Sequence, residues 1–314
     1  MQLYTTRDSH GATESSAREL KVVPLRHPVR WICVGIVLLG LAVLGKSVIS
    51  NPEFQWPIVE KYLFNPMILA GLRETIVLTI MVMVLATVIG TIAALMMLSP
   101  SKLLSVPAAV FVWVFRGTPA LVQLILWYNL SLVFKQLTLW LPGFGTVFSV
   151  ATNDVMTPFI SAFIALSLHE SGYMAEIVRG GLRSVNKGQT EAASCLGMKP
   201  ALLLRRIVLP QAMRMIIPPT GNETINLLKT TSLVSIIAVG DILYSAQAIY
   251  ARTFETIPLL LVVTFWYLVV VSIMSVGQSH LERRFSRDQS SGKSSMLSRV
   301  IRNAFSSTRK ELAK

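Results

Sequence analysis

Long apolar segments separated by short polar ones dominate the sequence. A helix that crosses a bilayer needs about 20 largely apolar residues, because the hydrocarbon core is about 30 Å thick. Six segments meet or nearly meet this requirement, at 30–49, 72–98, 115–134, 155–178, 216–240 and 257–278. Residues 75–98 and 257–277 contain no charged side chain at all. The pattern therefore predicts an all-α, polytopic membrane protein with six spans.

The fourth and fifth predicted spans contain the ionisable residues of most interest. The fourth holds Glu170 and Glu176, and the fifth holds Glu223 and Lys229. An ionisable group inside a bilayer costs several kcal/mol unless it faces water or a partner. These two spans are therefore the ones in which we expect functional side chains.

Composition supports a lipid environment. The chain is 53% hydrophobic and 14% charged, whereas soluble domains carry about a quarter charged residues. Its net charge of +13 would suit nucleic acid or an anionic membrane surface. Because no aromatic residues interleave the basic ones and the charges lie between apolar segments, we expect membrane lipid and no nucleic acid.

The basic residues are distributed unevenly between the predicted loops. The two tails and the second-to-third and fourth-to-fifth connections hold 23 lysines and arginines, whereas the opposite loops hold only Lys61, Lys135 and Arg252. Positive charge is enriched in cytoplasmic loops. Both termini are therefore expected in the cytoplasm.

Catalytic and metal-binding patterns are missing from the sequence. His169-Glu170 lacks the second histidine that a zinc helix needs four positions later, where Tyr173 stands. Cys33 and Cys195 have no partner at metal-ligand spacing. We expect no catalytic residue, no metal and no cofactor.

The connection between the fourth and fifth predicted spans carries a spaced motif. It reads E-A-A, three residues, Gly, nine residues, then I-x-L-P, and its members are Glu191, Ala192, Ala193, Gly197, Ile207, Leu209 and Pro210. This spacing resembles the EAA signature of the permease subunits of bacterial ABC importers. In that family the segment docks into a groove on the ATP-hydrolysing subunit.

The residue types of this loop suit a docking helix. Residues 189–198 favour a short helix, in which Ala192 and Ala193 give a surface of low relief. We expect Gly197 and Pro200 to end the helix and Glu191 to lie in its first turn, where a carboxylate suits the helix dipole. The alternative is an amphipathic helix that lies on the lipid headgroups.

Three further segments resemble the polar amino acid branch of that family. They are R-G-T-P followed by L-V-Q-L at 116–124, G-Y-M-A-E-I-V-R-G-G at 172–181, and N-E followed by N-L-L-K and T-S-L within 222–233. The resemblance covers residues 68–280, whereas residues 1–67 are additional, and Lys229 is followed by Thr230 where the branch often has Asp. It implies a five-helix permease core (68–280, with the coupling loop at 180–215). The hydrophobic and charge patterns outside the core predict a cytoplasmic polar tail (1–28), an extra transmembrane helix with an external loop (29–67) and a cytoplasmic basic tail (281–314).

The resemblance also implies partners and a role. A permease of this kind has a second permease subunit (identical or paralogous), a dimer of ABC ATPase subunits, an extracytoplasmic solute-binding protein, and a polar amino acid as substrate, in the bacterial inner membrane. It is a non-catalytic subunit. Importers of other small solutes, such as methionine, phosphonates or opines, remain alternatives. An ion-coupled secondary transporter typically shows internal repeats, which this sequence lacks, and a membrane-bound enzyme would need a nucleophile or metal.

Polar residues inside the spans are candidates for lining the translocation path. They are Gln123, Glu170, Tyr173, Asn222, Glu223 and Lys229. Structural pairing is the other role that these spans allow. We favour a Glu176–Arg179 pair at spacing three, and Lys229 is equally suited to the path or to pairing with Glu223.

Overall fold

The computed structural model describes residues 28–143 and 145–285, which divide by packing into two units after Phe54. The first unit contains α1, Pro28–Ser50, and a 3₁₀ turn, Pro52–Phe54. The segment Ile32–Ser50 has the length and hydropathy of a membrane span, and its described side chains are exposed. The structure confirms a helix at this position, and its length and hydropathy fit the predicted first span.

The second unit contains the remaining helices and one hairpin. In chain order they are α2 Trp56–Leu63, α3 Pro66–Leu98, α4 Lys102–Gly117, α5 Ala120–Tyr128, α6 Leu130–Val133, β1 Gln136–Leu141, β2 Gly145–Ala151, α7 Thr152–Val155, α8 Pro158–Arg183, α9 Lys187–Cys195, α10 Pro200–Leu203, α11 Leu209–Thr230, α12 Ile242–Thr253 and α13 Thr256–Phe285. A π-helical turn, Leu204–Val208, joins α10 to α11. A 3₁₀ helix, Thr231–Ile237, leads from α11 towards α12.

The all-α polytopic fold is confirmed. Among the described residues, α1, α3 and α13 are each long and apolar enough to cross a membrane. The total rises to five if each of two bent pairs is counted as one span: α4 with α5, and the helical stretch from Pro200 to Ile237 with α12, which bends by 43°. Helix α8 is also about 39 Å long at 1.5 Å per residue, but it is more polar.

The third predicted span, 115–134, is wrong as a single helix. The chain turns through 101° between α4 and α5, and Thr118 and Pro119 are extended at the turn. Proline has no N–H to donate and disfavours helical backbone in the residue before it. An apolar segment that looks continuous in sequence is therefore two helices.

Helix α8 lies at the centre of the second unit. It packs against α3, α4, α5 and α11. Its contact with α3 is close because Gly90 has no side chain: a Cβ there would lie 2.6 Å from Met174 Cβ and 2.8 Å from the Ser171 carbonyl oxygen. Small residues at helix crossings let backbones approach in this way inside membranes.

A second apolar cluster joins α2, the start of α3, α12 and α13. Ile68, Ile242 and Leu259 are fully buried in it, and the Trp266 indole N–H donates to the Leu63 carbonyl at 2.8 Å. The sequence assigned the residues of α2 to an external loop, but they form a helix that packs on α13.

The start of α12 is capped from two elements. The Asp241 carboxylate accepts from the backbone N–H groups of Leu243 and Tyr244 at 3.2 and 2.9 Å. The Thr75 hydroxyl, on α3, accepts from Ile242 N at 3.1 Å. These contacts satisfy donors that a helix start leaves unpaired.

The β-hairpin was not anticipated from the sequence. Strands β1 and β2 are antiparallel with an irregularity in register after Leu139. The Thr152 hydroxyl donates to the Phe134 carbonyl at the base of the hairpin. The hairpin precedes the start of α8, and α9 follows its end, so α8 separates them.

Candidate functional site

The spaced motif lies on and after helix α9. The Asn186 side chain caps this helix by accepting from Gly188 N at 2.8 Å. At its other end, Gly197 has a φ of 75°, and its N–H donates to Ser194 O at 2.9 Å, while Met198 N donates to Ala193 O at 3.1 Å. These bonds form a Schellman motif, which confirms that Gly197 ends the helix.

Two details of the predicted helix are wrong. Glu191 does not lie in the first turn, because Asn186 starts the helix two residues earlier than expected, at Lys187. Pro200 does not end α9 but occupies the first position of α10. Proline suits that position because its missing N–H would have no helical partner there.

A shallow groove of about 400 Å³ lies beside α9. It is lined by Asn186, Gly188, Gln189, Ala192, Ala193, Leu196, Met198 and Ile207. Three motif residues therefore share one surface, although Ile207 is more than a dozen positions after Ala193. Leu196 is 83% exposed at the rim, and Glu191, Leu209 and Pro210 are exposed away from the lining. A groove lined by small residues, with an exposed leucine beside it, is suited to contact another protein.

A second group of polar residues lies where the α4–α5 corner meets α8. The Gln123 side-chain N–H₂ faces the carbonyl oxygens of Phe115 and Thr118 at 3.0 and 3.1 Å and His169 Nδ1 at 3.1 Å. Because α4 ends at Gly117, carbonyls in its last turn have no helical partner. Gln123 therefore caps the interrupted helix from the following one.

Arg116 connects the same corner to the next turns of α8. Its guanidinium lies 5.3 Å from the centre of the Tyr173 ring, a cation–π geometry, and 3.7 Å from Glu176 Oε1. Glu176 also pairs with Arg179, which confirms the predicted pairing. Gly172 makes room for Arg116, since a Cβ there would lie 2.9 Å from Arg116 Cγ.

Buried acceptor oxygens without donors mark this polar cluster, which we define as Gln123, His169, Glu170, Tyr173 and Glu223. Gln123 and Glu170 are only 5% and 3% exposed, and no described residue donates to Oε1 of either side chain. Glu223, on α11, is close enough to both Glu170 and Arg116 to interact electrostatically. Buried acceptors normally have a partner, so the cluster is suited to receive a donor-rich group.

Two candidate path residues lie elsewhere on α11. The Asn222 side-chain oxygen accepts from Gln278 Nε2 at 2.8 Å, and so faces α13. Lys229 is exposed, and among the described residues no ion pair joins it to Glu223. The expected alternative of a Glu223–Lys229 pair is therefore not seen, because residues six apart on a helix point in different directions.

Gln278 was missed by sequence reasoning. Its amide nitrogen lies within hydrogen-bonding distance of Pro218 O, Asn222 Oδ1 and Glu282 Oε1. The sequence feature that could have identified Gln278 is its position directly after the uncharged segment 257–277.

Three features are typical of a membrane transport protein. They are the long apolar helices, the buried polar cluster, and the groove beside α9 in the basic connection between α8 and α11. Residues 86–287 match the family described as the binding-protein-dependent transport system inner membrane component. The chain belongs to this family. It is a multi-pass permease subunit of an ABC importer.

Similar proteins agree with the family. The arginine transport system permease protein ArgU of Corynebacterium glutamicum is 41% identical over 278 residues, which are 88% of this chain and 86% of ArgU. The L-cystine transport system permease protein TcyB of Bacillus subtilis is 36% identical over 74% of this chain and 92% of its own length. A crystal structure of an amino acid ABC transporter with histidines superimposes with a TM-score of 0.61 at 32% identity, covering 72% of this chain and 98% of that one.

Proposed function

We propose that this permease imports a polar amino acid with a cationic side chain, driven by ATP hydrolysis in a partner subunit. The observation that carries the proposal is the 41% identity to an arginine permease over most of both chains. The polar cluster supports it, because Glu170 and Glu223 place acidic groups beside unpaired acceptors in the bundle. A guanidinium or ammonium group supplies the donors that these oxygens lack.

Coupling is assigned to α9 and its groove. A partner ATPase that changes shape on hydrolysis needs a rigid contact through which to move the bundle. Helix α9 has capped ends and a floor of Ala192 and Ala193, and it connects α8 to α11. We therefore assign ATPase docking to the groove residues Ala192, Ala193 and Ile207, with Gly197 shaping the helix end and Glu191, Leu209 and Pro210 flanking the contact.

The translocation path is assigned to the α5, α8 and α11 faces that meet at the polar cluster. Gln123, Glu170, Tyr173 and Glu223 contribute to it. We place Asn222 and Lys229 outside the path, on the basis of their positions on α11.

The assembly follows the family. We propose two permease subunits, two ATPase subunits on the side of α9 and a solute-binding protein on the opposite side. Residues 68–280 form the permease core, 29–67 add a helix and loop, and both tails (1–28 and 281–314) are cytoplasmic. Residues 1–27 and 286–314 lie outside the described residues.

Uptake in whole cells tests the substrate class. Labelled arginine is supplied to a strain that carries the complete transporter, to the same strain with this permease deleted, and to the deletion strain complemented with the gene. We expect uptake to require the permease and to be inhibited by unlabelled lysine or histidine, but not by glutamate. Inhibition by glutamate, cystine, methionine or an opine in place of the cationic amino acids would contradict the proposed substrate class. Uptake that does not change on deletion would contradict the role in arginine import.

A further inference from the structure

Helix α11 has a weak point in its middle. Pro218 and Pro219 are consecutive inside it, and each proline lacks the N–H that would bond to the carbonyl four residues earlier. The helix therefore loses two backbone hydrogen bonds in succession. Such a position is where a helix bends most easily.

The segment before the prolines is held by α8. Ala212 is fully buried and Ile216 is 7% exposed. They pack on Gly181, where a Cβ would lie 3.0 Å from Ile216 Cδ1 and 3.2 Å from the Ala212 carbonyl oxygen. This segment continues directly from α10 and the π turn that follow α9.

The segment that includes and follows the prolines is held by α13. Gln278 Nε2 lies 3.3 Å from Pro218 O, 2.8 Å from Asn222 Oδ1 and 2.9 Å from Glu282 Oε1. The contact depends on Gly221, because a Cβ there would lie 2.9 Å from Gln278 Cγ. Two glycine-dependent contacts, to two different helices, thus lie on either side of the proline pair.

We propose that Gln278 is a positioning residue that fixes the second half of α11 to α13, so that the first half moves about Pro218 and Pro219 when α9 is displaced. The inference rests on the proposed coupling role of α9. Because Glu223 follows Asn222 directly, the clamp formed by Gln278, Gly221 and Asn222 also sets where Glu223 stands in the polar cluster. Without the clamp, motion of α9 would carry the second half of α11 with it, and Glu223 would lose its defined position in the polar cluster.

The test is the number of solute molecules transported per ATP hydrolysed. The complete complex, with its ATPase and loaded binding protein, is reconstituted in vesicles, and labelled uptake and phosphate release are measured together. Gln278→Met keeps the length of the side chain but donates no hydrogen bond. We expect its transport ratio to fall about three- to tenfold, which is the factor that corresponds to the loss of one hydrogen bond. Assembly, and the ATPase rate without binding protein, should not change. Gln278→Lys keeps a nitrogen donor and should retain most of the ratio.

Matched glycine variants separate the clamp from general packing. Gly221→Ala should lower the ratio because its Cβ displaces Gln278, whereas Gly277→Ala meets no atom within 4 Å and should behave as wild type. A wild-type ratio in Gln278→Met, or an equally low ratio in Gln278→Lys, overturns the clamp. If Gln278→Met does not assemble, equal ratios in the two glycine variants overturn it. If the wild-type complex shows no ATP-driven uptake, the proposed function is refuted, and the clamp with it. Failure of the clamp alone shows only in the variants, so the two failures can be distinguished.

Discussion

Glu170 is a buried acid in the middle of α8, and its surroundings distinguish a structural role from contact with the solute. A structural carboxylic acid normally bonds to a neighbour, as Asp241 does with the start of α12. Glu170 Oε1 has no donor among the described residues, and the neighbouring charge on α11 is another acid, Glu223. A solute cation would relieve both features.

Glu170→Gln tests this interpretation at the scale of one residue. Glutamine keeps the size and removes the charge, so we expect uptake of a cationic amino acid to fall about tenfold or more, since a hydrogen bond to a charged group contributes about 1.5–3 kcal/mol. Expression and ATPase activity without binding protein should persist. Uptake and ATPase activity are measured side by side, with Glu74→Gln, in an exposed pair with Arg73, as the control. Unchanged uptake would return Glu170 to a structural role.

Helix α9 shows how a short element becomes a defined surface. Nine residues are too few for a stable isolated helix in water. The Asn186 cap and the Gly197 ending fix its length, and Ala193, 3% exposed, anchors it. Its exposed small residues are then available for a partner.

The prediction for this element is a matched pair of arginine substitutions. Ala192→Arg places a long charged side chain on the groove lining and should prevent ATPase binding. Ala201→Arg places the same side chain at an exposed position of α10 that does not line the groove, and should bind ATPase normally. Co-purification of the ATPase with the membrane-inserted permease measures both. Normal binding by Ala192→Arg would show that the groove is not the docking surface.

At the scale of the whole molecule, α8 relates the two ends of the bundle. Helix α8 is about 39 Å long, which is comparable to the thickness of a bilayer, and it lies between the β-hairpin and α9. The charge bias of 23 to three predicts that the α9 side lies in the cytoplasm. The two termini are expected on that same side.

Reporter fusions test this orientation. A reporter active only outside the cytoplasm should be inactive when fused after Lys314 and active when inserted at the hairpin turn, Pro142-Gly143. Enzyme activity is compared at equal expression of the two fusions. The reverse pattern would invert the topology, and activity at both sites would mean an even number of spans between them.

Local features of this protein were readable from the sequence because their causes are local. The uninterrupted apolar runs gave α1, α3 and α13. Spacing gave the Glu176–Arg179 pair, and the residue types of the loop gave a helix ended by Gly197. Helix boundaries were less well predicted where several nearby residues could cap the helix. Helix α9 starts after Asn186, two positions earlier than the sequence indicated.

The tertiary structure alone decided which helix faces meet. Helices that are apolar on every side carry no periodic stripe to indicate a contact face, so the sequence did not indicate that Gln123 caps α4, that Arg116 reaches Glu176, or that Gln278 fixes Asn222. The hairpin likewise depends on neighbours that only folding brings near, whereas Pro119 marks the position of the corner locally and only its angle of 101° depends on the fold. The sequence determined the class of protein and marked the short helix to which we assign coupling, because both rest on composition and fixed spacing. The structure determined the polar cluster and the contacts of Gln278 with α11, because both consist of contacts between residues distant in the chain.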